Sequence, residues 1–284
     1  MTERLPLGES SIAYDVMGEG PLIVLAHGMG DSRHSYRFVA PQLAEAGYRV
    51  ATMDIRGCGD STAAWDSYSR TAIAGDIVAL VRHLGGPAVV VGHSISGGAA
   101  TIAAADAPDV VVGVAELGSF TRKQTPDLAG LFRNRRYRTA MLHLAKVMML
   151  GSIKSWVAYL DLAIPAPPSD WDRERSRIRS VVSRPERRAA LQAMARTAPA
   201  DAGARLKDVQ CPVLIVQGSA DPDWADPVRE GHGIISELPE GIGELAVIPD
   251  AGHYVHVEAP EQLLDILAPF LQETLPRTGP AARA

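Results

Sequence analysis

The feature that most constrains this chain is a serine between an apolar run and a run of small residues. Residues 87–97 read Pro-Ala-Val-Val-Val-Gly-His-Ser-Ile-Ser-Gly, and alanine dominates the residues that follow. This order predicts a strand, a sharp turn with Ser94 at its apex and a helix, with an ordinary glycine turn as the alternative. Such a strained turn needs small residues two positions before and two positions after the serine. Gly92 meets this requirement, and Ser96 stands where the usual pattern G-x-S-x-G has glycine.

Apolar runs and helical patterns alternate on both sides of this turn. Residues 22–26 form a continuous apolar run, which is typical of a strand buried on both faces. Residues 69–84 have the spacing of an amphipathic helix that ends at two glycines. Because strands and helices alternate, we expect a parallel sheet with right-handed crossovers. The other predicted elements are a hairpin at 4–17, helices at 36–46, 95–107, 226–237 and 260–274, and strands at 48–55, 88–92, 110–117, 213–216 and 245–248.

The alternation stops in residues 122–205, where long helical patterns flank a proline-rich hinge at 165–168. We therefore expect an α/β core of residues 1–121 and 206–275, a helical cap of residues 122–205, and a disordered tail at 276–284. The cap would lie above the carboxyl ends of the strands, where open α/β sheets bind ligands.

The cap region differs from the rest of the chain in charge. Residues 122–210 carry 18 Lys and Arg against 8 Asp and Glu, although the whole chain has a net charge of −5. Solvated helix faces are the simpler explanation of these cations, and attraction of an anionic substrate or partner is the alternative. An apolar stretch at 141–150 is assigned to packing between cap helices, with a pocket lining as the alternative.

Composition excludes several other classes of protein. No apolar run approaches the roughly 20 residues that span a bilayer, and residues 1–20 contain no signal peptide pattern. The two cysteines, Cys58 and Cys211, do not make a disulfide framework. The negative net charge argues against general nucleic-acid binding. We expect a cytoplasmic protein with no nucleic-acid and no membrane partner.

Two later strands supply polar residues that would complete a catalytic site with Ser94. A serine hydroxyl is a poor nucleophile at neutral pH and needs a base, which in turn needs an acid to orient it. Asp221 and Asp223 follow the strand at 213–216, and His253 follows the strand at 245–248. All three lie just past the carboxyl end of a strand, so they are expected at the same sheet edge. His256 as the base and Glu116 as the acid are the weaker alternatives.

Four motifs in this order resemble the α/β-hydrolase superfamily, in its branch of small serine esterases and lactonases. Besides the serine turn, His27-Gly28-Met29-Gly30 resembles the oxyanion loop, and residues 54–61 resemble the loop D-x-R-G-x-G-x-S. Ala251-Gly252-His253 with the following Glu258 resembles the histidine loop and last helix. The resemblance implies a mostly parallel eight-stranded sheet flanked by helices, with a helical cap.

The resemblance also implies roles for individual residues. Ser94 is the expected nucleophile, His253 the general base and Asp221 the orienting acid, since Gly218-x-x-Asp221 has the family spacing. The backbone N–H groups of Met29 and Ile95 are the expected oxyanion donors. Neither a metal nor an organic cofactor is implied.

The activity expected from these residues is hydrolysis of a small-molecule carboxylic ester, lactone or similar acyl bond through an acyl-enzyme. C–C bond hydrolysis and cofactor-free perhydrolysis use the same triad and remain alternatives. The pattern G-H-S-x-S is also similar to that of relatives that act as sensors, in which slow hydrolysis of a ligand is incidental. Epoxide hydrolase and haloalkane dehalogenase activities are disfavoured, because those relatives need aspartate at the position of Ser94.

Overall fold

The computed structural model of the protein describes residues 2–123 and 127–275. The predicted tail at 276–284 lies outside these residues. The strands are β1 (Glu3–Leu7), β2 (Ser10–Met17), β3 (Leu22–Ala26), β4 (Arg49–Met53), β5 (Ala88–His93), β6 (Val111–Leu117), β7 (Val213–Gly218) and β8 (Gly243–Ile248). The helices are α1 (Ala40–Glu45), α2 (Arg70–His83), α3 (Ile95–Asp106), α4 (Leu128–Arg133), α5 (Arg135–Leu150), α6 (Ile153–Ala163), α7 (Trp171–Val182), α8 (Pro185–Ala195), α9 (Ala200–Gly203), α10 (Pro227–Ile235), α11 (Val255–Glu258) and α12 (Pro260–Thr274).

The eight strands form one sheet in the order β1-β2-β4-β3-β5-β6-β7-β8. β1 and β2 form the predicted hairpin and pair antiparallel, as do β2 and β4, while every other neighbouring pair is parallel. β3 and β5 lie at the centre of the sheet, and all of their residues are buried. The predicted mostly parallel eight-stranded sheet is confirmed, and its central strands end at the serine turn and the oxyanion loop.

The predicted helix at 36–46 is wrong in its first half. The structure has a 3-10 turn at Arg33–Tyr36, and α1 begins only at Ala40. The reason is Pro41, which occupies the first turn of α1. A helix through residue 37 would bring the proline ring against the carbonyl of Arg37 and leave that carbonyl without its donor. By contrast, α2 matches its prediction, and Ser69 caps it by accepting a hydrogen bond from Ala72 N–H at 3.2 Å.

Helices α4–α8, between β6 and β7, form a helical insert. Apolar side chains form three buried clusters, one on each face of the sheet and one inside this insert. The first packs α2 and α3 against the sheet, and the second packs α1 and α12 against its other face. The third is built around Trp156, Tyr159 and Leu191 of the insert and includes Tyr254 and Val257 from the histidine loop and α11. The insert therefore shares its own core with the elements that follow β8.

The helices between β6 and β7 are held on the sheet by ion pairs as well as by apolar contacts. Arg37 donates two hydrogen bonds of 2.8 Å to Asp170, which precedes α7, and Arg177 of α7 pairs with Asp31 at 3.2 Å. Part of the cationic run on α7 is thus paired with carboxylates and is not a purely solvated helix face. Within the described residues, no helix is both long and apolar enough to cross a membrane.

Candidate active site

Ser94 lies at the tip of a strained turn between β5 and α3. Its φ of +56° and ψ of −119° lie in a backbone region that residues with a side chain rarely adopt. A side-chain carbon added to Gly92 would lie 2.2 Å from the carbonyl oxygen of Ser96, so only glycine fits two positions before the serine. The backbone of this turn meets the steric requirement that the sequence predicts.

Ser96 explains why the second glycine of the usual pattern is dispensable here. Its side chain is fully buried and donates a hydrogen bond of 2.6 Å to the carbonyl of His27. His27 begins the oxyanion loop, so this bond ties the serine turn to that loop. The hydroxymethyl side chain of Ser96 therefore fits at this position of α3 and has a hydrogen-bond acceptor in the His27 carbonyl. The sequence pattern alone does not predict this bond.

The oxyanion loop passes close to Ser94. A side-chain carbon on Gly28 would lie 3.1 Å from Cβ of Ser94. Within residues 2–123 and 127–275, the N–H groups of Met29 and Ile95 donate to no other group. Both predicted donors are therefore free to donate a hydrogen bond to a bound substrate.

The imidazole of His253 contacts both candidate acids. Its Nδ1 lies 2.8 Å from Oδ2 of Asp221 and 3.4 Å from Oδ2 of Asp223, and all three side chains are buried. Asp221 also accepts a hydrogen bond of 2.9 Å from the N–H of Asp223, which fixes the turn that carries both carboxylates. The sequence treats the two aspartates as alternatives, whereas the structure brings them together and gives Asp221 the shorter contact.

The imidazole of His253 packs against residues on both sides of the serine turn, and its ring lies 4.7 Å from that of His93. His93, directly before Ser94, contacts the carbonyl of His253 through Nε2 at 3.1 Å. The ring of Phe120, whose N–H donates to the carbonyl of Ser94, lies 6.0 Å from the imidazole. The described residues contain no direct hydrogen bond between the Ser94 hydroxyl and His253. Catalytic hydrogen bonds are often long until a substrate is bound.

Tyr159 of α6 is a site residue that the sequence analysis did not identify. Its hydroxyl donates a hydrogen bond of 2.7 Å to Oδ2 of Asp223, the oxygen that faces His253. Oδ1 of Asp223 has no partner among the described residues. No motif marks Tyr159, because it belongs to the helical insert and reaches the site only through the packing of α6.

The end of α6 is joined to the histidine loop by backbone hydrogen bonds. The N–H of His253 donates to the carbonyl of Ala163 at 2.8 Å. Glu258 accepts hydrogen bonds from Gly252 N–H at 2.9 Å and from Ala166 N–H at 3.0 Å, and so bridges the loop and the segment after α6. The position of the imidazole therefore depends on α6 as well as on β8.

Charge and burial act in opposite directions on His253. Burial opposes the charged imidazolium, but the carboxylates of Asp221 and Asp223 outweigh it and raise the pKa of His253 to about 9. Burial raises the pKa of Asp223 above its usual range; the imidazolium opposes this, and the charge of Asp221 adds to it. The protonation of Asp223 and that of His253 therefore depend on each other.

The alternative residues do not fit the roles considered for them. His256 is fully buried, contacts the hydroxyl of Ser35 at 2.5 Å, and has a pKa well below the usual value because of its burial. Glu116 contacts the hydroxyls of Thr101, Ser119 and Thr121 and no histidine among the described residues. Cys58 is not a rival nucleophile to Ser94 either, because burial raises the pKa of its thiol to about 12 and leaves it protonated.

Among the described residues, Asp221, Asp223 and His253 are the one group of three whose donor atoms, within 4.8 Å of one another, would suit a metal ion. Two of these atoms are already joined by the 2.8 Å contact between His253 and Asp221, and Asp223 accepts from Tyr159. A metal ion bound to Nδ1 of His253 would have to displace the contact with Asp221, so the arrangement suits proton transfer better than metal binding.

An open cavity of about 680 Å³ lies between α4, α5 and α10. Trp224 lines it and packs 4.9 Å from Phe120, while Tyr137 and Met141 line it from α5. A second cavity of about 560 Å³ lies between α7 and the loop after β4, and its Arg33 and Arg37 are paired with carboxylates. Neither cavity is lined by the candidate catalytic side chains, but Trp224 of the first directly follows Asp223 in the chain, so the first cavity is the candidate approach to the site.

Comparisons with known proteins find similarity over most of the chain. A model described as the alpha/beta hydrolase family matches residues 23–266. The chain is 29% identical over 282 residues to the 2-(acetamidomethylene)succinate hydrolase of Mesorhizobium japonicum, covering 95% of each protein. It is 34% identical over 116 residues to bifunctional epoxide hydrolase 2 of Rattus norvegicus, covering 40% of this chain and 21% of that protein.

Solved structures show a similar fold over nearly the whole chain. The structure of Est816, described as an N-acyl homoserine lactone degrading enzyme, is 25% identical and superposes with a TM-score of 0.73. The superposition covers 94% of this chain and 100% of Est816.

Proposed function

The chain belongs to the α/β-hydrolase family, and on that premise we propose that it hydrolyses a carboxylic ester or lactone through an acyl-enzyme on Ser94. The observation that carries the proposal is the contact of 2.8 Å between His253 and Asp221. The His253 ring packs 4.7 Å from that of His93, which directly precedes Ser94 and its strained turn. A nucleophile needs a base and the base needs an orienting acid, and the described residues offer one such set.

The first half of the reaction would form the acyl-enzyme. The hydroxyl oxygen of Ser94 attacks the carbonyl carbon while Nε2 of His253 takes the hydroxyl proton. The tetrahedral oxyanion accepts hydrogen bonds from the free N–H groups of Met29 and Ile95. When the intermediate collapses, the bond to the leaving oxygen breaks and His253 returns the proton to that oxygen.

The second half would release the acid. A water molecule replaces the departed alcohol, and in a lactone the ring oxygen remains attached to the acyl group. His253 takes a proton from the water as its oxygen attacks the acyl carbon, and then returns the proton to Ser94. Asp221 holds Nδ1–H throughout, so the proton moves only at Nε2.

We expect the rate to rise with pH well beyond the range of an ordinary histidine. Only neutral His253 accepts the serine proton, and its pKa is raised to about 9. The acid limb of kcat/KM should therefore extend through neutral pH toward pH 9, instead of ending near about 6.5. Rates measured on one nitrophenyl ester from about pH 6 to about pH 10 would test this.

Asp223→Asn supplies the matched variant for the pH profile. It removes one negative charge 3.4 Å from the imidazole, which lowers the pKa of His253 and makes neutral histidine available at lower pH. The acid limb should move toward lower pH, and Tyr159 keeps a carbonyl oxygen as its acceptor. A wild-type limb near about 6.5, or a limb that Asp223→Asn leaves in place, would contradict this account of the site.

A second candidate substrate class contains an acyl–nitrogen bond. The Mesorhizobium relative acts on 2-(acetamidomethylene)succinate, which carries an acetamido group, and its similarity extends over 95% of this chain. Attack on an amide carbonyl uses the same serine, base and oxyanion donors, with nitrogen as the leaving atom.

A substrate panel would separate these classes. We expect turnover of nitrophenyl esters of graded chain length and of lactones, with less or none of 2-(acetamidomethylene)succinate. Ser94→Ala serves as the blank for each compound. Turnover of the acetamido compound far above every ester would transfer the assignment to the acyl–nitrogen class. Turnover far below about 1 per second on every compound, together with tight binding, would indicate a ligand sensor instead.

A further inference from the structure

Most of the exposed large apolar side chains among the described residues lie on the outer face of the helical insert. Six of the seven large apolar side chains that are exposed among the described residues belong to α4 and α5, and the seventh is Val228. Phe132 is 85% exposed, Met149 67% and Leu142 57%. From its sequence, the stretch 141–150 is expected to pack between cap helices or line a pocket, and for Leu142 and for Met148–Leu150 that expectation is wrong.

These side chains alternate with cations along one face of α5. Arg135, Arg138, Leu142, Lys146 and Met149 follow one another at spacings of three or four residues, and all are exposed. Tyr137, Ala140 and Val147 on the opposite face are buried.

Phe132 extends this face onto α4. Arg138 donates a hydrogen bond of 2.8 Å to the carbonyl of Leu131, which sets the end of α4 against the exposed side of α5. We call this surface the cap face: Phe132, Arg135, Arg138, Leu142, Lys146 and Met149.

Acidic residues are missing from the sequence around the cap face. Between Asp127 and Asp161 the chain has six Arg and Lys and no Asp or Glu. Two cap faces joined about a twofold axis would bring these cations together without carboxylates to pair them, which disfavours a symmetric dimer. The positive charge of the cap face therefore favours an anionic partner. The exposed apolar side chains favour a partner that also has an apolar layer.

We propose that the cap face binds the surface of an anionic lipid bilayer. The exposed apolar side chains form two groups, Leu128 with Phe132 on α4 and Met148–Leu150 at the end of α5, and Leu142 and the cations lie between them. This is not the regular heptad seam against which a partner helix packs. Insertion of such side chains below the headgroups, with Arg and Lys held at the headgroup level, is how interfacial helices attach. The sequence predicts no membrane partner because it lacks a spanning segment, but attachment to a surface needs none.

Sedimentation with sucrose-loaded vesicles tests the proposal on the whole protein. We expect binding to vesicles of phosphatidylcholine with about one third phosphatidylglycerol, little binding to phosphatidylcholine alone, and weaker binding at high salt. Phe132→Ser combined with Met149→Ser should weaken binding about tenfold or more, because two apolar anchors are lost. Lys146→Glu should weaken it by roughly tenfold as well, because an attractive charge becomes repulsive.

Matched variants on the core serve as controls. Val228→Ser removes the one exposed large apolar side chain outside α4 and α5 among the described residues, and Lys207→Glu reverses an exposed charge after α9. Both should bind like the wild type, and thermal unfolding verifies that all variants are folded. Binding is measured without substrate, so the outcome does not depend on the proposed hydrolysis.

Four results would overturn the proposal. The first is that the wild type sediments equally with both kinds of vesicle or with neither. The second is that the core variants lose as much binding as the cap-face variants. The third is a dimer in sedimentation equilibrium that Phe132→Ser with Met149→Ser dissociates, and the fourth is binding of an acidic protein in place of the vesicles; either would assign the cap face to a protein partner.

Discussion

Ser94→Ala should lower kcat by about a millionfold for every ester that the protein hydrolyses. The base and the oxyanion donors remain, but the nucleophile that attacks the ester carbonyl is lost. The effect should be confined to the chemistry. Within the described residues the hydroxyl of Ser94 makes no hydrogen bond, and alanine suits the tight turn as well as serine does. Initial rates on a nitrophenyl ester, measured beside the thermal unfolding midpoint, would show both results.

Residual activity above about a tenth of the wild-type rate would remove Ser94 from the mechanism, since the loss of a triad serine has a far larger effect. A large fall in the unfolding midpoint would instead show that the hydroxyl has a structural role. Labelling with a fluorophosphonate gives an independent reading, because it marks an activated serine. The wild type should be labelled and Ser94→Ala should not.

Asp221→Asn should lower kcat by about 10²–10⁴, because an asparagine no longer holds His253 in the tautomer that leaves Nε2 free to accept a proton. Asp223→Asn is the matched substitution two residues away, in a side chain that is equally buried. Its effect on kcat at high pH should stay below about tenfold, because Asp221 keeps the contact of 2.8 Å with Nδ1.

The comparison of these two variants decides which carboxylate orients the imidazole. If Asp223→Asn is the more damaging change, the acid is Asp223, and the hydrogen bond from Tyr159 then serves to position it. Circular dichroism of both variants separates a catalytic effect from a failure to fold. Rates should be compared at pH values above the acid limb of each variant, because the two substitutions also change the pKa of His253.

The strands and the serine turn could be predicted because their signals are local. Residues 22–26 are apolar without interruption, and all five are buried in β3. The turn at Ser94 needs small neighbours for steric reasons that act within a few residues, so Gly92 reveals it. Asp221 and His253 follow strands in the same sheet, and this placement predicts that they meet at its carboxyl edge.

The helical insert could not be predicted to the same depth, because its signals depend on tertiary packing. Helical periodicity identifies α5 but does not say which neighbours cover it, so the exposure of Leu142 and Met149 was missed. The approach of Tyr159 to Asp223 joins residues 64 positions apart through the placement of α6. The contact of both Asp221 and Asp223 with His253 likewise depends on the geometry of the turn, which cannot be predicted from the presence of two nearby aspartates.

The bond from His253 N–H to the carbonyl of Ala163 limits how caps can be exchanged among related cores. A chimera that carries a foreign cap must end its corresponding helix with a free carbonyl in the same place, or the imidazole loses one of its backbone anchors. The bridge from Glu258 to Ala166 adds a second junction that a transplanted cap must reproduce. α6 and the histidine loop therefore have to be exchanged together. Chimeras that take them from different proteins should fold but be inactive.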